Sequence, residues 1–352
     1  MPRLVLRLLA LCACLTSSGC YVLQAAQGQM SVMSRRQPIP GLIADPATAP
    51  ALRTRLEYVA AAREFATREL GLPDNASYRT YKDIGRDFVV WNVFATREFS
   101  VTARRWCFPI AGCVAYRGYF HESSAQRYAR RLRARGYDVT VGGVPAYSTL
   151  GHFADPVLNT MLSWNDARLA GTVFHELAHQ EAYARGNAGD SEFNEAFATV
   201  VENVGITRWL QSRGDAAGLE RWHAARERER QFADLLLTTR TRLQSLYKTK
   251  IAPAALRERK QQEFGRLLYE YGLLKGQWNG YAGYDRWFER ALNNADLVPI
   301  ATYYGCEPSL QRLLEASGND LPRFYAAVRQ LAGAPSERRQ FCRLNSAERG
   351  VE

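Results

Sequence analysis

The most constraining feature of the sequence is one stretch, residues 173–202, which contains His175, Glu176 and His179 in the order His-Glu-x-x-His. Apolar residues recur around this motif at helical spacing, which predicts a helix. Because residues four apart share one helix face, both imidazoles can bind one metal ion while Glu176 projects beside them. The pattern predicts one Zn²⁺ per chain, with Glu176 as the general base for the water that the metal activates.

A zinc site of this kind needs a third protein ligand. We predict Glu195, sixteen residues after the second histidine. The turn at 186–190 lets the chain reverse, and Ser191 can cap a second helix. Glu192 is an alternative ligand on nearly the same helical face, and Glu202 is expected either to support a ligand or to be a surface carboxylate. The competing interpretation of the two histidines is a hydrogen-bonded pair in a protein core.

The N-terminal residues predict export in a bacterium. Residues 1–19 combine two arginines with a short apolar run, which is typical of a lipoprotein signal peptide and too short to span a bilayer. Cys20 follows small residues and is the expected lipidation site, with residues 11–14 as a second lipobox-like sequence. Tyr21 after it favours the outer membrane, with the protein on the periplasmic side. The alternative is an ordinary cleaved signal peptide and an incidental cysteine.

Four cysteines lie beyond the signal region, and an even number in an exported chain predicts two disulfides. Cys107 and Cys113 are close in sequence with turn residues between them, so we pair these two, and Cys306 with Cys342. The alternative is four buried thiols. No Cys-x-x-Cys occurs, so a zinc site built from cysteines is not expected.

The net charge of +11 suits contact with anionic lipid or acidic polymers. The arginines are dispersed along the chain and form solvated faces, and an exported protein does not meet nucleic acid. The expected partners are therefore a peptide substrate and a membrane, reached through the N-terminal lipid anchor.

The order of sequence patterns predicts an α+β fold that is predominantly helical. Asp45 before Pro46 resembles a helix N-cap with proline at the first helical position. β-rich runs, one helix and a further strand precede the motif helix, and the chain after residue 202 is mostly helical. We predict four segments, which are a signal peptide at 1–19, an anchor-proximal segment at 20–45, a single domain at 46–335 and a tail at 336–352.

The motif stretch also resembles a known group of enzymes. His-Glu-Leu-Ala-His at 175–179 followed by Asn-Glu-Ala-Phe-Ala at 194–198 resembles the gluzincin zinc peptidases. More widely, the chain resembles a bacterial family of predicted zinc aminopeptidases of the cell envelope, in segments that include GCYVLQAAQGQ, WCFPIAGCVAYRGYF, GVPAYSTLGHFADPVLNT and NNADLVPIATYYG. The resemblance implies a zincin-like metallopeptidase domain, with a small β-sheet before the motif helix and a helical C-terminal half. It also implies aminopeptidase activity, with His175, His179 and Glu195 as zinc ligands and Glu176 as catalytic base.

The sequence departs from the gluzincin aminopeptidases in the slightly shorter interval from His179 to Glu195 and in a missing segment. The Gly-x-Met-Glu-Asn segment that holds the substrate's α-amine does not occur. Residues 143–148 are expected to form the corresponding edge strand, which pairs with an extended peptide, and His152 is a candidate to line the same cleft.

Gluzincins also use a downstream tyrosine or histidine to stabilise the oxyanion. The candidates are Tyr281, Tyr284, Tyr303 and Tyr304. Each of them is more often a packed aromatic. Two other functions stay open at this point, which are a non-catalytic envelope lipoprotein that keeps the fold for binding and a hydrolase of non-peptide amides.

Overall fold

The computed structural model describes residues 21, 23–108, 112–146, 149, 151–184, 190–303 and 306–348. The proposed signal peptide and Cys20 lie outside the described residues. The described chain is α+β and predominantly helical, as predicted. Its strands are short and precede the motif helix: β1 Gln37–Pro38, β2 Thr80–Lys82, β3 Val90–Arg97, β4 Trp106–Phe108, β5 Gly112–Val114, β6 Tyr116–Tyr119, β7 Tyr137–Val144 and β8 Val157–Leu158.

The helices account for most of the described residues. The earlier ones are α1 at 23–33, α2 Ile39–Ala44, α3 Pro50–Arg68, α4 Glu122–Arg133, α5 Asn159–Leu162, α6 Asp166–Glu181 and α7 Asp190–Ser212. The later ones are α8 Ala216–Leu246, α9 Pro253–Gln277, α10 Asp285–Phe288, the 3-10 helix η1 Asn294–Leu297, α11 Val298–Tyr303, α12 Glu307–Ala316, α13 Leu321–Gly333 and α14 Pro335–Glu348. No described helix combines the length and the apolar character that crossing a bilayer requires.

The motif helix α6 lies at the centre of the main hydrophobic core. Asn165 caps it by accepting a hydrogen bond from the backbone N–H of Arg168. Its apolar positions, among them Val173, Phe174 and Leu177, are fully buried. They pack against α3 and α7, and the same core includes residues of α12 and α13. The core therefore holds α6 on several sides.

Two glycines let α6 and α7 approach closely as an antiparallel pair. A Cβ on Gly171 would lie 2.9 Å from Oε1 of Glu202 on α7. A Cβ on Gly205 would lie 2.7 Å from a ring carbon of Phe174 on α6. Larger side chains at these positions would push the helices apart, so the glycines set the distance between them.

A three-stranded antiparallel sheet, in the order β6-β3-β7, forms a second core with α4. Val93 and Ala95 point from β3 into this core, which is the alternation expected of a half-buried strand. Trp91 pairs with Tyr119 of β6, and Phe94 pairs with Tyr116. The remaining described strands form a β1-β2-β8 sheet and the β4-β5 hairpin.

Disulfides join Cys107 to Cys113 and Cys306 to Cys342, which are the two pairs expected from the sequence. The second one involves the C-terminal segment. Residues 336–352 are predicted to be a tail, and α14 occupies most of that range. Arg338 on α14 is buried and donates to backbone carbonyls at the end of α13, so the segment belongs to the packed structure.

The first long helix starts later than predicted. Asp45 ends α2, and its side chain accepts a hydrogen bond from the backbone N–H of Ala47. Helix α3 begins at Pro50, with Ala49 before it. Both Pro46 and Pro50 satisfy the preference for proline at a helix start, and the turn formed by the Asp45 side chain moves the start to the second one.

The first described helix, α1, is docked on the sheet. The ring of Tyr21, just before it, stacks on Phe108 at 5.3 Å and meets Tyr119 edge-on at 5.7 Å. The guanidinium of Arg117 lies 4.0 Å above the Tyr21 ring. Val32 near the end of α1 is buried in the main core. The residues after position 20 are therefore held against the body of the protein.

Candidate metal centre

Two helices bring the candidate ligands to one point. Nε2 of His175 on α6 lies 3.2 Å from Oε2 of Glu195 on α7, and Nε2 of His179 lies 3.6 Å from the same oxygen. Each residue offers one ligand atom, and these three atoms all lie within 4.8 Å of one another. Ligands about 2.0–2.1 Å from a tetrahedral ion such as zinc are roughly 3.3 Å apart, so the two histidine–glutamate separations are compatible with a metal ion of this kind. Glu192, the alternative ligand, is not part of this group.

Glu202 supports the first histidine from behind. Its Oε2 lies 3.1 Å from Nδ1 of His175, and the carboxylate is mostly buried against Gly171. With Nδ1–H donating to this carboxylate, Nε2 is directed at Oε2 of Glu195, 3.2 Å away, on the side where a metal ion could bind. A carboxylate behind a histidine fixes the tautomer and the orientation that metal binding requires.

The ring of His179 is held by packing. The side chain is 6% exposed, and its Nδ1 has no hydrogen-bond partner among the described atoms. The His175 ring meets it edge-on at 4.9 Å, and the Tyr183 ring does so at 6.2 Å. The two histidines thus share one function in the predicted motif but are oriented by different contacts.

The site collects negative charge beside two imidazoles. Burial would raise the pKa of Glu195, but the charges and hydrogen bonds of His179 and His175 outweigh it and hold that pKa below its usual value. The pKa of Glu202 is lowered in the same way, chiefly by its hydrogen bond to His175. Burial raises the pKa of half-buried Glu176. Two imidazoles surrounded by carboxylates in this number offer the nitrogen and oxygen donors that suit a divalent cation.

Residues 149 and 151–155, which precede α6, lie beside the motif. Asp155 is buried, and its carboxylate accepts hydrogen bonds from the backbone N–H and the hydroxyl of Thr149 at 2.8 Å. Gly151 lies against the side chain of Gln180, one residue after the second histidine. Asp155 also acts electrostatically on Glu176, which places this segment close to the motif. His152 is exposed within it.

The predicted edge strand is present in part. β7 covers Tyr137–Val144 and pairs with β3 alone among the described strands. Tyr147 and Ser148, at the end of the predicted strand, lie outside the described residues. β7 ends shortly before residues 149–155 in the sequence. The pairing of an extended substrate peptide with this edge stays a prediction.

One tyrosine that sequence reasoning missed is coupled to the site. Tyr116 begins β6 and is partly exposed. Loss of hydration raises the pKa of its phenol, and the charges of Glu195 and Glu176 raise it further, so the hydroxyl stays protonated at neutral pH. The register of β6 on β3 brings this residue near the ligands, and its position after Cys113 in the chain gives no signal of that.

The tyrosines proposed from the sequence have other surroundings. Tyr284 stacks on Phe232 of α8 with ring centroids 4.0 Å apart, and Tyr281 lies under the guanidinium of Arg228. Tyr284 belongs to an aromatic cluster with Phe232 of α8 and Tyr271 of α9, which agrees with the packed alternative, whereas Tyr281 meets Tyr284 edge-on and is 44% exposed. The side chain of Tyr303, and Tyr304 as a whole, lie outside the described residues.

The fold and the site define an α+β protein with a candidate metal centre of two histidines and one glutamate, built on two consecutive helices. The chain belongs to the family described as "Putative aminopeptidase", whose sequence model matches residues 20–342. That description suggests peptidase activity. No curated protein and no solved structure matches the chain.

Proposed function

We propose that this protein is a zinc-dependent peptidase of the aminopeptidase type, with a zincin-like arrangement of α6 and α7, tethered in the bacterial envelope through a lipid on Cys20. The observation that carries the proposal is the convergence of His175, His179 and Glu195 on one point, with the Glu202 carboxylate behind the first histidine. A pair of core histidines has no need for this donor geometry. The family description supports the hydrolysis of peptides.

Each residue of the centre has a role in this proposal. A bound Zn²⁺ supplies Lewis acidity and lowers the pKa of water toward neutrality. His175, His179 and Glu195 hold the ion, and Glu202 keeps the first imidazole in the tautomer that binds it. Glu176 lies next to the ligands on the same helix, so its carboxylate can accept a proton from the attacking water and pass it to the leaving amine. Partial burial of Glu176 raises its pKa, which favours this exchange.

The test compares two matched substitutions on α6. Glu176→Gln should abolish hydrolysis while the purified protein still contains about one zinc ion per chain. Glu181→Gln is the control, since Glu181 lies on the same helix and pairs with Arg329 instead. The control should keep both zinc and activity.

Metal analysis and a substrate panel decide the outcome. Full hydrolysis by the Glu176→Gln variant would overturn the catalytic role of Glu176. A protein with neither zinc nor hydrolysis would instead be a non-catalytic lipoprotein. Peptides with free and with blocked α-amines should separate aminopeptidase from endopeptidase activity, and a loss of hydrolysis upon blocking supports the former.

A further inference from the structure

Helix α1 has an apolar face that no described residue covers. Leu23 is 58% exposed and Met30 is 71% exposed, and Ala26 between them is exposed as well. Spacings of three, four and seven residues place all three on one side of a helix. We call these three residues the outer stripe. Large apolar side chains this exposed on one helix face mark a surface that contacts lipid or another protein.

The opposite face of α1 is fixed to the sheet. Gly28 lies against the ring of Phe120, where a Cβ would come within 2.0 Å of a ring carbon, so only glycine fits. The side chain of Gln24 accepts a hydrogen bond from the backbone N–H of Phe120 at 3.4 Å. Together with the aromatic contacts of Tyr21, these interactions prevent α1 from swinging away. The outer stripe therefore has a fixed direction relative to the body of the protein.

The chain that precedes α1 identifies what the stripe faces. Cys20, the proposed lipidation site, is bonded to Tyr21, and consecutive Cα atoms are about 3.8 Å apart. Acyl chains on Cys20 would therefore hold the start of α1 at the surface of the bilayer. An amphipathic helix at that place buries its apolar face at the boundary between headgroups and acyl chains. The net charge is +11 for the whole sequence and +9 without Arg3 and Arg7 of the signal peptide, and this positive charge complements anionic lipid.

We propose that the outer stripe of α1 lies in the membrane interface and holds the catalytic body rigidly against the bilayer, so that the enzyme acts on peptides presented at the membrane surface. This inference rests on the proposed function, both for the lipid on Cys20 and for peptide hydrolysis. It adds a second contact with the membrane and a class of substrate.

The position of the metal centre relative to α1 supports the substrate class. β6 has four residues and spans roughly 10 Å. Tyr119 at one end contacts Tyr21, while Tyr116 at the other end is coupled to Glu195. One short strand therefore runs from the Tyr21 contact toward the side of the protein where Glu195 lies.

The first experiment measures the depth of α1 in the bilayer. After Cys20, the cysteines of the sequence are all in disulfides, so an introduced cysteine is the free thiol available for a fluorophore. Ala26→Cys places the label in the outer stripe. Leu268→Cys is the control, because Leu268 on α9 is 52% exposed and lies in another part of the protein. Both labelled proteins are made as full chains in cells that acylate lipoproteins. They are then reconstituted in vesicles of phosphatidylethanolamine and phosphatidylglycerol that carry a lipid-borne quencher.

The label at position 26 should be quenched by the lipid-borne quencher and protected from iodide in the water, while the label at position 268 should show the reverse. Equal quenching at the two positions would overturn the inference. Protection from iodide without quenching by lipid would mean that a protein, such as a second copy, covers the stripe, and this result would also overturn it.

The second experiment tests the substrate class with charge introduced on the stripe. Leu23→Glu combined with Met30→Glu should lower the ratio of hydrolysis of a vesicle-tethered peptide to that of a free peptide by about fivefold or more. Leu268→Glu combined with Leu273→Glu is the control, because these leucines are 52% and 53% exposed but lie five residues apart and so do not share one helix face, and it should leave the ratio unchanged. An unchanged ratio in the stripe variant would refute the substrate class. Absence of hydrolysis of the free peptide by the unaltered protein would refute the proposed function instead, whatever the label shows.

Discussion

The contact between Glu202 and His175 makes a quantitative prediction about metal affinity. Glu202→Gln replaces the carboxylate with an amide of nearly the same size and removes its charge. The Glu202 side chain is 16% exposed, and its oxygen lies 3.1 Å from Nδ1 of the histidine. The amide can present its N–H₂ group to Nδ1 as easily as its oxygen, so the tautomer that exposes Nε2 for the metal is no longer selected.

The magnitude follows from the type of bond that is lost. A hydrogen bond to a charged group contributes about 1.5–3 kcal/mol. Since about 1.4 kcal/mol corresponds to a tenfold change in an equilibrium constant, the dissociation constant for zinc should rise by about 10–100-fold. The helix pair should stay folded, because the substitution conserves the volume that packs against Gly171.

The assay is a competition titration of the metal-free protein with zinc and a fluorescent chelator, with circular dichroism to verify the fold. Glu192→Gln is the matched control, because Glu192 lies on the same helix but outside the ligand group, near Arg240. It should bind zinc as the unaltered protein does. An unchanged dissociation constant for zinc in Glu202→Gln would refute the supporting role of Glu202. A higher dissociation constant in Glu192→Gln would identify Glu192 as a ligand.

Three further substitutions test the surroundings of the site. Arg63→Ala removes the buried guanidinium that donates to three backbone carbonyls, so the free energy of unfolding in urea should fall by about 3 kcal/mol or more. Gly205→Val would place side-chain atoms against the Phe174 ring, and overpacking of this kind should lower the melting temperature through a loss of about 1–3 kcal/mol. Tyr116→Phe should lower kcat by about 10–100-fold with zinc content unchanged, if the phenol donates to the developing oxyanion; an unaltered kcat would contradict that role.

The two histidine ligands could be predicted from the sequence because both lie on one helix. Helical periodicity fixes which residues share a face, and it requires no knowledge of the rest of the chain. The third ligand is a different problem. Glu192, Glu195 and Glu202 lie on nearly the same face of α7, so periodicity leaves them equivalent. The antiparallel crossing of α6 and α7 separates them, and that crossing depends on tertiary packing.

Tyr116 illustrates what the sequence could not supply. Its relation to the site depends on the register of β6 on β3 and on how that sheet is packed in the rest of the protein. Contacts of this kind join residues far apart in the chain, and local patterns do not encode them. The predicted start of α3 was wrong for a local reason. Pro46 and Pro50 are equally good helix starts by sequence, and the turn formed by the Asp45 side chain selects the second one.

The disulfide pairs could be predicted from the sequence in part. Cys107 and Cys113 are close enough in sequence for the pairing to be expected, and they lie opposite each other in the β4-β5 hairpin. The pairing of Cys306 with Cys342 then follows by elimination, on the assumption that all four cysteines form disulfides. The consequence for the C-terminus follows from the second pair, because a cysteine in the supposed tail has to be held beside Cys306.

Asn194 explains how the position of Glu195 can be independent of the residues between Ala184 and α7. The buried amide of Asn194 accepts a hydrogen bond from the backbone N–H of Ala184 at 2.8 Å and donates to the carbonyl of the same residue at 2.9 Å. This two-way contact imitates a pair of backbone hydrogen bonds and fastens α7 to the end of the motif segment. We therefore expect an insertion between Ala184 and Asp190 to leave the ligand in place, which a zinc titration of such a variant would check. In this protein the neighbour of the ligand, rather than the length of the connection, sets the register of the metal centre.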